Sequence, residues 1–78
     1  MSIKSFPTTS RRALIDAVVD SYVTWREANA AANAAYQTWK ASARAERASS
    51  FDEYQAALDR EERAAAAYQH LIELARAA

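Results

Sequence analysis

The residues with chemical reach in this chain are few: a single histidine, His70, an acidic cluster of Asp59, Glu61 and Glu62, and Asn29 set among apolar neighbours. A ferritin-like metal site needs Glu-x-x-His pairs on facing helices, and the residue three before His70 is Ala67. His70 therefore reads as a surface residue. The acidic cluster lacks the histidines or glycine turn of known metal loops and reads as a solvated face. With no cysteine, thiolate nucleophiles, disulfides and zinc-finger ligand sets are excluded. Glu61 and Asn29 both fall on otherwise apolar helical stripes. Glu61 is expected to reach Lys40 or a tyrosine hydroxyl, and Asn29 to fix register as isolated polar residues do in coiled coils. These readings assign no catalytic residue, no metal and no cofactor.

The aromatic residues carry more pattern. Tyr22-Val23-Thr24-Trp25-Arg26 is echoed fourteen residues later by Tyr36-Gln37-Thr38-Trp39-Lys40, and Tyr54-Gln55 by Tyr68-Gln69 at the same spacing. Fourteen residues are two heptads, so each pair of copies falls on one helical stripe. Rings in such a stripe can line a ligand pocket or stack on bases, but at helical spacing they read first as core.

Helices must position these rings. The 78 residues contain no glycine and one proline, Pro7, so nothing from Thr8 onward strongly breaks a helix. Of the 51% hydrophobic residues about half are alanine, which favours helix but buries little area. A chain this short sits near the lower limit for a self-sufficient core. Ten basic and ten acidic residues cancel, leaving no net field to favour nucleic acid or an anionic membrane. No stretch approaches the ~18 apolar residues of a membrane span, and Met1–Ser10 lacks a signal-peptide apolar run. The expected location is cytoplasmic, with no membrane partner.

The predicted fold is all-α: an antiparallel hairpin of helix 1 over about 10–48 and helix 2 over about 51–77, with residues 1–9 as an extended arm and 10–78 as one domain. Helix 1 starts near Ser10, a good N-cap. The joint is placed at 48–50 because Ser50-Phe51-Asp52-Glu53 fits a capping box and charge switches there from Lys40, Arg44 and Arg47 to Asp52 and Glu53. Periodicity alone permits one unbroken helix, since Tyr36 and Tyr54 are eighteen residues, or five turns, apart. A turn centred near Ser49 sets Arg26 at the level of Glu73, Lys40 at Asp59 and Arg47 at Asp52. It also sets Trp39 against Leu58, and Trp25 beside Leu71 and Ile72.

In that register helix 1 is the longer, and its first three turns extend ~15 Å past helix 2. Val19 and Val23 widen the apolar arc there. Either the amino-terminal arm folds back over this overhang or a second chain covers it; the favoured reading is a symmetric dimer forming a four-helix bundle, which covers both overhangs at once. The expected dimer interface is Leu14, Ile15, Val18, Val19, Tyr22, Val23, Trp25, Leu71 and Leu74. The expected hairpin seam is Ala32, Tyr36, Trp39, Tyr54, Leu58, Ala65, Tyr68 and Ile72.

The segments Tyr22–Glu27, Ala35-Tyr36 and Trp39, then Phe51, Tyr54 and Ala56–Glu62, resemble a group of short helical-hairpin proteins, mostly from high-GC actinobacteria, with no known activity. The resemblance covers about the last two-thirds of the chain and implies an intracellular helical protein without assigning any residue a role. Small secreted hairpins with a Trp-x-Gly turn are superficially similar, but this chain has no glycine. The functional expectation is a non-enzymatic assembly module, a homodimer that binds itself and a further protein partner. The alternative is a small dimeric regulator presenting Arg11 and Arg12 to nucleic acid or an acidic protein. Neither basic group lies beside a recognition-helix turn, which disfavours nucleic acid.

Overall fold

The structure is a computed structural model that describes residues 10–77, so the arm expected over 1–9 lies outside the described residues. Two helices of equal length, α1 (Arg11–Ala41) and α2 (Arg47–Ala77), run antiparallel and are joined by a short 3-10 turn, Arg44–Glu46. The chain is thus all-helical over the described residues, and none of its helices is long and apolar enough to cross a membrane. Ser10 caps α1, its hydroxyl oxygen accepting from the Ala13 amide at 3.0 Å. Lys40 and Arg76 occupy the last turns, where cations suit the helix dipole, whereas Arg11 and Arg12 oppose it at the start of α1.

The joint lies four to seven residues earlier than the sequence predicts. α1 ends at Ala41 instead of about 48, and α2 begins at Arg47 instead of about 51. Between the helices Ser42 (φ −73°, ψ 146°) and Ala43 (φ −71°, ψ 161°) adopt extended backbone, and no described residue has positive φ. Two hydroxyls explain the choice. Ser42 Oγ donates to the Trp39 carbonyl at 2.7 Å, taking a carbonyl that continuation of α1 would use, while Ser50 Oγ donates to Ser42 Oγ at 3.0 Å. Ser50 is therefore a buried residue inside α2 and not the N-cap of a capping box. The Ser50–Ser42–Trp39 relay spans the turn, and a local sequence pattern has no access to such a contact.

Moving the joint changes the register and removes the overhang. Trp39 packs on Phe51 and Tyr54, and Trp25 stacks on Tyr68. Leu14 and Val18 become half-buried. Between the ring clusters the helices approach through small residues: Ala28, Ala32 and Ala57 are the buried hydrophobic residues, and no large side chain is fully buried among the described residues. The core is thin, as the alanine content predicts.

Candidate interaction surface

The repeat in the sequence becomes a repeat in space. Tyr22, Trp25 and Tyr68 form one cluster and Tyr36, Trp39 and Tyr54 another, related by a step of fourteen residues up α1 and fourteen down α2. Each tryptophan stacks nearly parallel on the tyrosine of α2, with centroids 5.8 Å apart in both clusters and interplanar angles of 9° and 14°. Each α1 tyrosine meets its tryptophan at 6.0 Å and a tilt of 54° or 53°. Tilted and offset rings align the negative face of one with the positive edge of the next, an arrangement worth about 0.5–1.5 kcal/mol per pair beyond area burial.

The cations that the sequence pairs with acids lie over rings. Arg26 sits 5.8 Å from the Tyr22 centroid and donates to the Tyr22 hydroxyl at 3.0 Å, Lys40 lies 5.3 Å from Tyr36, and Arg47 5.7 Å from Trp39. The expected levels of Glu73, Asp59 and Asp52 belonged to a turn at Ser49, and the earlier turn carries these acids past their partners. For Arg26 and Lys40 the ring lies four residues back on the same helix and remains in reach whatever the register, whereas Arg47 of α2 meets Trp39 of α1 across the turn; the attraction of a cation for a ring face is ~0.5–1 kcal/mol at exposed sites.

Glu61 does have a partner, though neither Lys40 nor a tyrosine: its carboxylate accepts the Trp25 indole N–H at 2.8 Å. A charged acceptor makes this one of the stronger bonds across the seam, and it locks the ring's orientation. Asn29 is half-buried on α1, while His70, Asp59 and Glu62 are exposed. Among the described residues no group of histidine, cysteine, aspartate and glutamate is placed to hold a metal ion.

Two concavities lie along the hairpin. One, of about 570 Å³ and open to solvent, is lined at the turn by Thr38, Ser42, Glu46, Ser49, Ser50 and Glu53 among others. Its hydroxyls bond backbone carbonyls or each other, and its lining holds no histidine or lysine to activate one as a nucleophile. The other, about 220 Å³, is a shallow groove beside Ala28, Ala31 and Ala64, framed by Glu27 and Arg60.

The apolar flank near the chain's open end is the more distinctive surface. Ile15, Val19 and Val23 recur every four residues along α1 and are 49%, 54% and 48% exposed, with Tyr22 beside them at 38%. Of the other residues expected at an interface, Leu14, Val18, Trp25 and Leu71 are half-buried within the hairpin, and Leu74 is exposed but turned away from the seam. In the expected seam, Ala32 is buried and Trp39, Tyr54, Leu58, Ala65, Tyr68 and Ile72 are half-buried, whereas Tyr36 is at the exposed margin. Sequence reasoning did not place Phe51 against Trp39, where at 5.2 Å it is the fourth ring of the turn-end cluster, and missed Ser42 as the residue that ends α1. Phe51 was readable from its place on the inner face of helix 2; Ser42 carried no signal beyond its weak helix preference. No known protein-family model, curated protein or solved structure matches this chain, so its functional reading rests on this geometry.

Proposed function

We propose that the hairpin is a non-enzymatic helical interaction module that self-associates through the exposed flank of α1. The observation that carries this reading is the ridge of Ile15, Val19 and Val23 with Tyr22, left half-exposed in a chain whose buried hydrophobic residues, among those described, are all alanines. Burying a β-branched side chain is worth about 1.5–3 kcal/mol, so pairing two such ridges supplies what the thin seam lacks. A two-fold arrangement places each ridge against the same ridge of the other copy and yields a four-helix bundle. Because the two helices are of equal length, the surface a second copy would cover is this exposed ridge and not an overhanging helix end.

Sedimentation at micromolar concentration tests the reading. For chains kept folded throughout, so that arms cannot exchange, the expected result is a dimer of closed hairpins that Val19→Glu converts to monomer, because a carboxylate at the centre of the ridge would be desolvated without a partner. A wild-type chain that stays monomeric to about 100 μM overturns it, since association weaker than that is under ~6 kcal/mol.

A further inference from the structure

We propose that the hairpin also opens at Ser42–Ala43 into one continuous helix, and that two opened chains pair antiparallel, each making with the other the seam it makes with itself. Seam residues on the two sides of the turn keep one spacing: Ala32 and Ser50, Tyr36 and Tyr54, and Trp39 and Ala57 are each eighteen residues apart. Eighteen residues are five α-helical turns. Straightening the chain therefore brings the inner face of α1 and the inner face of α2 onto one uninterrupted stripe. A second opened chain running the other way meets that stripe with Trp25 opposite Tyr68 and Trp39 opposite Tyr54, in the register of the closed hairpin.

The turn itself is built of helix-forming residues. Ala41, Ala43, Arg44, Ala45, Glu46 and Arg47 all favour helix, there is no glycine or proline, and no described residue has positive φ. Ser50 and Ser42, eight residues and so ~12 Å apart along one continuous helix, lose their contact within the chain on opening and meet again between two opened chains, in the register that sets Trp39 opposite Tyr54. Exchange of identical arms costs little once the hinge is converted, since every other contact is regained between chains.

This association uses the seam and not the flank, so it stands or falls separately from the proposed module. Ala43→Pro divides the two states cleanly. Its φ of −71° suits proline, Ser42 at ψ 146° suits the residue before one, and the Ala43 amide donates no hydrogen bond among the described residues. The same proline would sit in the middle of the continuous helix, where it is excluded. Ala43→Gly is a milder version that also tolerates the turn.

The experiment is sedimentation combined with small-angle X-ray scattering on the wild type, Ala43→Pro, Ala43→Gly and Val19→Glu, each refolded from denaturant at high concentration so that arms can mix. The expected result is a wild-type and Val19→Glu dimer about 100 Å long, against about 55 Å for a closed hairpin at ~1.5 Å per residue. Its formation should fall roughly a hundredfold or more in Ala43→Pro and about tenfold in Ala43→Gly. A dimer no longer than the closed hairpin, or one equally stable in all the Ala43 variants, overturns the exchange. Loss of the dimer in Val19→Glu alone would do the same while leaving the flank-mediated module standing; a chain monomeric throughout would refute both.

Discussion

The two aromatic clusters are built on the same three rings at the same spacing, yet they are finished in different ways. Stepping from the open end to the turn end, Glu61 is replaced by Arg47 and Ala65 by Phe51, each fourteen residues away. At the open end Trp25 is anchored by a hydrogen bond to Glu61, and small Ala65 leaves the cluster at three rings. At the turn end Trp39 is enclosed by Phe51 as a fourth ring and covered by the Arg47 guanidinium. Its indole N–H reaches solvent, since no half-buried polar atom among the described residues is left both shielded and unpaired. The rings alone fix which faces meet. The polar anchor adds direction, because a hydrogen bond weakens steeply with misalignment, whereas the fourth ring adds area. The turn-end cluster is accordingly the main store of stability, and the open-end cluster the main determinant of register.

Removing the tryptophans tests that division most strongly. Trp39→Ala is expected to destabilise the hairpin by about 3 kcal/mol, at the lower end for a buried tryptophan because the ring is only half-buried. Trp25→Ala should cost about 1 kcal/mol less: two ring partners are lost instead of three, and the freed Glu61 carboxylate can hydrate. Urea denaturation at a concentration where the chain is monomeric measures both. Equal losses would mean that Phe51 adds nothing to Trp39.

Making the clusters alike sharpens the comparison at a smaller scale. Phe51→Ala gives the turn end the composition of the open end and should cost ~1–2 kcal/mol, reduced from full burial because Phe51 is already 38% exposed. Thermal melting of the single mutant reads this directly. A change under about 0.5 kcal/mol would show that the ring lies on the surface without contributing to the cluster.

How much of this was legible in the sequence follows from the range of each interaction. The Tyr-x-Thr-Trp repeat announced the seam because fourteen-residue spacing on a helix is a local property, and the absence of glycine together with a single proline announced helices for the same reason. The position of the turn was not legible. Ser50-Phe51-Asp52-Glu53 satisfies every local criterion for a helix start, yet Ser50 lies inside α2, its hydroxyl 3.0 Å from both the Glu46 carbonyl and the Ser42 hydroxyl. With the joint moved, the overhang, the predicted ion pairs and the level of each tryptophan moved too. The polarity of Glu61 on an apolar stripe was visible, and so was its need for a partner. Which partner depended on the register, and in the register the turn imposes it is the Trp25 indole.

The smallest expected effect concerns that bond. Glu61→Gln keeps an acceptor but loses its charge and should cost ~0.5–1 kcal/mol. In a double-mutant cycle with Trp25→Phe the loss should largely vanish, because the donor is already gone. A cost that persists unchanged in the Trp25→Phe background would place the role of Glu61 elsewhere.

Register is the claim on which the two clusters, the flank and the hinge all depend, and ring-to-ring nuclear Overhauser effects measure it most directly. The structure predicts cross-peaks between Trp39 and both Phe51 and Tyr54, and between Trp25 and Tyr68, whether the two helices belong to one chain or two. Cross-peaks from Trp39 to Leu58 and from Trp25 to Ile72 in their place would put the turn back at Ser49 and contradict the account.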